Sequence, residues 1–259
     1  MGRKTLILLA IAALAGFPLQ TQAAIILGTA GDFAVLAGST VTNTGSSVIN
    51  GGNVGVSPGS TITGFPPATI SPPFTIHAAD AVALAAQNDL TVAYLAAAGL
   101  SPTQDLTGQD LGGLILVSGV YFFSSAAQLT GTLTLDAQGD PNAQFVFQIG
   151  TTLTTATNSS VVMINGGLTP GATVFWQVGT SATLGTTSAF EGHILALTSI
   201  TLNTGATILD GSALARNGAV TLDGNTITNS VPEPATMTIV LIGGTLIGLR
   251  RRRNAKIAH

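Results

Sequence analysis

From Phe145 to Thr228 the chain repeats one short line in which hydroxyl residues alternate with apolar ones. The line reads TTLTTATN from Thr151, TSATLGTT from Thr180, TSITLNTG from Thr198 and NGAVTLDGN from Asn217. Thr183, Thr201 and Thr221 stand 18 and then 20 residues apart. The step from Thr154 to Thr183 is 29 residues, as expected if a loop through Asn165, Gly166 and Gly167 is inserted there. A period near 20 residues, made of short β-prone runs closed by Gly and Asn turns, predicts a β-solenoid whose coils stack to share a core. Period-two alternation sends the apolar residue of each line inward and its hydroxyl neighbours outward. Stacked, the lines place a ladder of threonines on one flat face.

The same alternation marks a strand over Ala34 to Thr44, with Thr40, Thr42 and Thr44 outward. Turns follow at Asn50-Gly51-Gly52-Asn53 and Ser57-Pro58-Gly59-Ser60, and the Pro pairs at 66–67 and 72–73 predict an irregular connector. The exception to the β pattern is residues 77–98, which are Ala-rich and free of Gly and Pro, and stop at Gly99 with Pro102 beyond. This predicts one long helix on the flank of the solenoid, with Val82, Ala86, Leu90, Ala93 and Ala97 as its inner stripe. Strands resume at Leu114 and continue through Val120 to Phe123 and Leu129 to Leu135. Phe145-Val146-Phe147 then matches Val174-Phe175-Trp176, and aromatics in repeated apolar slots are expected to stack in the core.

Composition divides the chain into three parts. Arg3, Lys4, an apolar run from Leu6 to Phe17 and Thr21-Gln22-Ala23 read as a signal peptide over residues 1–23. At the other end a Val231-Pro232-Glu233-Pro234 box precedes an apolar segment over 235–249 and the cluster Arg250, Arg251, Arg252 and Arg253, so that 231–259 reads as a tail. Between them, residues 24–230 hold Arg216 as their single base against ten acids, a net charge of −9. That excludes a nucleic-acid partner, which requires clustered Lys and Arg. Cysteine is absent, so the exported domain must be held by its core and backbone ladders.

The chemistry this leaves is that of a surface. Outward residues two apart on a strand are separated by about 6.8 Å and adjacent coils by about 4.8 Å. Both distances lie close to repeats of the ice lattice. The candidate face is therefore Thr152, Thr154, Ser181, Thr183, Ser199, Thr201 and Thr221, with Ala219 interrupting its hydroxyls in the last line. A rival column of turn residues comprises Thr155, Thr157, Thr186, Thr204 and Thr207. Threonine is also simply a good solvent-facing strand residue, which any solenoid uses. Catalysis is disfavoured: Asp140, Asp210 and Asp223 fall at turns, Asp80 and Asp89 on the helix, and no nucleophile-elbow motif surrounds a serine. His77 is read as a contact at the helix start, and His193, beside Glu191, as a turn residue before a strand. Asp136 to Asn142 lacks the ligand spacing of a calcium loop and reads as a turn. No cofactor and no metal are expected.

Beyond these patterns, LAGSTVTNTG (36–45), GVSPGSTITGFPP (55–67), AQFVFQIGTTLTT (143–155), VFWQVGTSATLG (174–185) and LARNGAVTLD (214–223) resemble the microbial ice-binding (antifreeze) domain. The resemblance runs over residues 25–228. It implies a right-handed, discontinuous β-helix of triangular section with one long helix alongside, and adsorption to ice through a flat β face. It also implies that the N-terminal segment adds coils beside the C-terminal ones, which would bring Thr40 and Thr42 next to Thr221. Members of that family also use faces that are not regular Thr arrays. Residues 231–253 resemble the PEP-CTERM sorting tail, which implies export, transient membrane insertion, processing by an exosortase and delivery to the envelope or beyond. An apolar run of this length spans about 22 Å as a helix, short of the roughly 30 Å core of a bilayer, as suits a sorting anchor. The same tail also suits an adhesive matrix protein whose flat face binds exopolysaccharide or another protein.

Overall fold

The computed structural model describes residues 24–166 and 173–230; the segments read as signal peptide and sorting tail lie outside them. The chain runs in rotation through three parallel sheets of nine, seven and eight strands. One complete coil is Thr173–Val178, Ala182–Leu184 and Ala189–Glu191; the next is His193–Ala196, Ile200–Leu202 and Thr207–Leu209, and the last is Ala213–Ala215, Val220–Asp223 and Thr226–Thr228. Each strand pairs in parallel with its counterpart one coil away, Thr183 opposite Thr201 and Phe147 opposite Trp176. The expected period thus corresponds to one circuit.

The stack does not follow chain order. Phe33–Ala37, Thr40–Thr44 and Val48–Asn50 form a coil on the far side of the last one, with Val35 opposite Ala213, Thr42 opposite Thr221 and Val48 opposite Thr226. Asn53–Val56, Thr61–Thr63 and Thr69–Ile70 add another coil beyond it. Within the Pro-rich stretch expected to be an irregular connector, Thr69–Ile70 forms a short strand between the two Pro pairs, and Phe65 packs against the end of the core.

Alternate side chains of the strands fill the interior. Tyr121, Phe147 and Trp176 of the nine-stranded sheet and Phe190 of the eight-stranded sheet form a column with ring centroids 5.3, 3.9 and 4.8 Å apart, the core stacking that the repeated slots predict. The Trp176 indole N–H donates to the Glu191 carbonyl at 3.0 Å, so its polar edge is satisfied. The outer face of the same sheet is also apolar: Leu36, Val120, Val146, Phe175, Leu195 and Leu214 meet Ala86, Leu90, Ala93, Tyr94 and Ala97 of the helix. A sheet buried on both faces reads as a continuous apolar run, which is why FVF and VFW do not alternate while the hydroxyl lines do.

The helix is Ala81–Ala98, shorter at its start than the expected 77–98. Ile76–Ala78 is instead a strand paired with Asn53–Val56. Asp80 is the N-cap, accepting from the Ala83 N–H at 2.8 Å, and His77 contacts that carboxylate at 2.8 Å through Nδ1. Val82, expected on the inner stripe, is exposed, and Ala83 takes the inner position. Small alanines let the helix lie close to the sheet.

Candidate functional site

The nine-stranded sheet is covered by the helix, so two faces remain for a ligand. On the seven-stranded sheet the strands Leu153–Thr155, Ala182–Leu184, Ile200–Leu202, Val220–Asp223, Thr40–Thr44 and Thr61–Thr63 run side by side. Their outward residues Thr154, Thr183, Thr201, Thr221, Thr42 and Thr63 lie each opposite the next in register. Gln128 lies opposite Thr154 at one end. Six threonines at the usual coil spacing make an unbroken row about 24 Å long. Four of the six belong to the candidate set; Thr42 and Thr63 enter from coils that lie far away in sequence.

Rigidity comes from what lies beneath and beside the row. Leu153, Ala182, Ile200, Val220 and Val41 alternate inward and are fully buried. At the corner entering this sheet, a Cβ on Gly150, Gly179, Gly218 or Gly38 would overlap the backbone of the adjoining coil. Glycine is needed there because the coils touch backbone to backbone. The Thr42 and Thr221 hydroxyls lie 3.4 Å apart. Among the described residues the hydroxyls of Thr154, Thr183, Thr201 and Thr63 have no protein partner and are left for water.

The second row of the candidate set is used differently. Ser181 Oγ accepts from the Ser199 N–H at 3.3 Å, and Ser199 Oγ accepts from the Ala219 N–H at 3.2 Å. These two hydroxyls tie coil to coil just ahead of the strands, with Thr152 exposed beside them. Ala219 and then Thr40 and Thr61 continue this row.

The rival turn column does not form one face. Thr155 is 3% exposed and points inward, where its Oγ1 accepts from the Gly185 N–H at 2.9 Å. It directly follows Thr154, and neighbours on a strand face opposite sides. Thr157 and Thr186 are exposed at the turn, but the Thr204 hydroxyl donates to the Asp223 carboxylate. Thr207 lies on the eight-stranded sheet, its hydroxyl 3.4 Å from the Ser188 carbonyl. That third face is uneven: Ile115, Val162 and Leu209 stand exposed among threonines and Glu191.

The structure also gathers residues near the Glu191 corner that the sequence pattern does not join. His193 begins a strand rather than sitting in a turn, its Nδ1 is 2.9 Å from Ser212 Oγ, and its ring stacks on Phe175. Burial pulls the imidazole down to about 4, against the opposing charge of Asp210. Burial pushes the Glu191 carboxyl up to about 7; the Met163 N–H at 3.2 Å resists this and Asp210 adds to it. Ser212 is fully buried, so its hydroxyl has no path to a substrate. At the loop from Asp136 to Asn142, the Asp136 carboxylate takes the Gln138 N–H and that of Asp140 takes the Asn142 N–H, both at 2.8 Å, as expected of turns.

Comparison with known proteins places this geometry. A family model described as "Ice-binding-like" matches residues 35–228, and one described as "PEP-CTERM protein-sorting motif" matches residues 230–253. A protein of Nostoc sp. (strain HG1) named "Ice-binding protein" is 55% identical over 261 residues, covering 96% of this chain and 94% of that one. "Ice-binding protein 1" of Shewanella frigidimarina (strain NCIMB 400) is 31% identical over 249 residues, covering 85% of this chain and 27% of that longer one. Among solved structures, an ice-binding protein from an Antarctic biological consortium superposes with a TM-score of 0.74 at 46% identity, covering 82% of this chain and 96% of that one. One from the ascomycete Antarctomyces psychrotrophicus gives 0.74 at 43% identity, covering 80% and 98%.

Proposed function

The chain belongs to the ice-binding-like family, and from that membership we infer that it is an exported ice-binding protein whose threonine sheet is the surface that meets ice. The observation that carries the choice of face is the in-register row of Thr154, Thr183, Thr201, Thr221, Thr42 and Thr63. Hydroxyls without protein partners anchor water, and the methyls beside them keep it from being held too tightly to join a lattice. A rigid row of this kind on a flat sheet orders an ice-like layer and, once adsorbed, limits growth and recrystallisation. The three sheets suit a right-handed coil of triangular section, with the helix on one side and the threonine row on another. Residues 1–23 act as the signal peptide, 24–230 as the ice-binding domain and 231–259 as a sorting tail. The tail's apolar segment enters the membrane with its Arg cluster on the cytoplasmic side, until an exosortase processes it and the domain reaches the envelope or the exterior.

Thermal hysteresis and recrystallisation assays on residues 24–230 test the activity, and substitutions test the face. Thr183→Tyr and Thr201→Tyr each raise a bulky ring from the middle of the row and should abolish activity with the fold intact. Thr186→Tyr in the turn and Thr207→Tyr on the third sheet should leave it. Equal loss in both groups would refute the assigned face. A folded but inactive parent would remove ice as the ligand and turn attention to exopolysaccharide.

A further inference from the structure

The outward side of the helix is an exposed apolar surface that the ice-binding reading does not use. Val82, Leu84, Val92 and Leu95 are 47, 52, 64 and 61% exposed, and Ile26 nearby is 74% exposed. The ionisable groups around it are already engaged: Asp89 accepts from the Thr29 N–H and hydroxyl at 2.7 Å, Asp80 caps the helix, and Arg216 Nε donates to Thr91 at 2.7 Å. Asn88 is the polar side chain left on that side. A patch of this kind marks a contact surface, and its apolar side chains have little to desolvate. By length and composition alone the helix could cross a membrane, yet its inner face belongs to the core, so only its outer side is open to lipid.

The chain's exit point says what lies against it. Asn229 Nδ2 donates to the Gly31 carbonyl at 2.9 Å, and Gly31 belongs to the short 3-10 helix Gly28–Asp32 held to the long helix through Thr29 and Asp89. Ser230, the last described residue, is hydrogen-bonded to Asp210 at the same end. Only residues 231–234 separate Ser230 from the apolar segment 235–249. Four residues reach at most about 14 Å, comparable to the roughly 10 Å thickness of a helix lying on a sheet. An apolar segment tethered that closely holds the domain against the bilayer by the corner between the eight-stranded sheet and the helix-covered sheet, which sets the helix face beside the lipid.

We propose that, while the tail is attached, the outer face of the helix Ala81–Ala98 rests on the lipid surface, with Leu84, Val92 and Leu95 dipping into the interface; this rests on the tail acting as a membrane segment. The partner is a neutral, zwitterionic surface, because a domain of net charge −9 is repelled by anionic lipid. The contact uses the side of the section that the helix covers, so the threonine sheet faces away from the membrane and stays free for ice before the tail is removed.

The chain has no cysteine, so single reporters can be introduced cleanly. Protein spanning residues 24–259 and carrying Val92→Cys or Thr154→Cys, each with an environment-sensitive dye, is mixed with phosphatidylcholine vesicles and floated on a density gradient. The expected result is co-flotation with a severalfold loss of aqueous iodide quenching at position 92 and no change at position 154. Co-flotation with position 92 still fully quenched overturns the helix contact alone. Protection at position 92 before any vesicle is added assigns the face to a second copy or to the chain's own tail, and overturns it too. Failure to float removes the membrane role of the tail, and this inference with it.

Discussion

Glu191 and His193, one residue either side of Gly192, are held as neutral groups at mildly acidic pH by burial. Their effects on stability have opposite signs. Glu191 rises from an ordinary 4.5 to about 7, so the folded state holds its proton more tightly and stability falls as pH rises between those values. His193 drops from 6.5 to about 4, so the unfolded state takes up the proton first and stability is lost as pH falls through that window. Between about 4.5 and 6.5 the two slopes oppose each other. Glu191→Gln should therefore turn a nearly level profile into one that climbs from pH 4 to 6.5. The climb is limited to about 1.4 kcal/mol per pH unit and reduced by residual solvent contact. Urea unfolding across that range reads it directly, and matching profiles for parent and variant would refute the pairing. The lowered carboxyls Asp80, Asp89, Asp105, Asp110 and Asp136 act below this window, since their ordinary value is 3.8. This corner was only half legible beforehand. Glu191 and His193 are visible as neighbours, but Asp210 and Ser212 reach them only when the next coil stacks alongside.

At the scale of elements, two glutamines fasten the helix to its sheet. Gln148 and Gln177 lie opposite one another on adjacent strands. Gln148 Nε2 donates to the carbonyls of Ala97 and Leu100, each at 2.8 Å, meeting acceptors that a helix end leaves open. Gln177 donates to the Tyr94 hydroxyl at 2.8 Å. The signal was present in FVFQIG and VFWQVG, where a polar residue recurs at one position of an otherwise apolar run. Gln148→Leu should cost about 1–3 kcal/mol and speed amide exchange at the helix C-terminus. Ice activity should be unchanged, since the threonine sheet is untouched; normal stability would show the strap to be dispensable. Gln87 shows where periodicity misleads. It is absent from the inner stripe that the spacing predicts, yet it is buried and its Nε2 donates to the Ala215 carbonyl at 3.2 Å. Gln87→Lys, harmless on an open face, should instead destabilise the domain by a similar 1–3 kcal/mol or so, seen as a lower urea midpoint.

For the whole molecule, the consequential junction is the one between the first coil and the last. Val35 pairs with Ala213 and Thr42 with Thr221, while the coils between Gly119 and Leu209 pair with neighbours one circuit away. Long loops close slowly, so local coils should form before the N-terminal ones dock. Pulse-labelled hydrogen exchange during refolding should protect amides of Gln144–Ile149, Thr173–Val178 and His193–Ala196 ahead of Phe33–Ala37 and Asn53–Val56. Simultaneous protection would mean that the ends meet early. The junction matters for function, because without it the threonine row loses Thr42 and Thr63 and shrinks by a third.

The sequence by itself determined the repeat of one circuit, the phase of each strand and hence its outward hydroxyls. It also marked the single helix with its stop at Gly99 and the aromatic column of the core. These are local properties: alternation, spacing and the turn residues act within a few positions of one another. The tertiary structure decided which coils lie side by side and that Ser181 and Ser199 tie coils together. It decided too that one row runs unbroken from Thr154 to Thr63. Those outcomes depend on backbone pairing between residues as far apart as Thr42 and Thr221, and no local pattern specifies which distant strand will supply the partner.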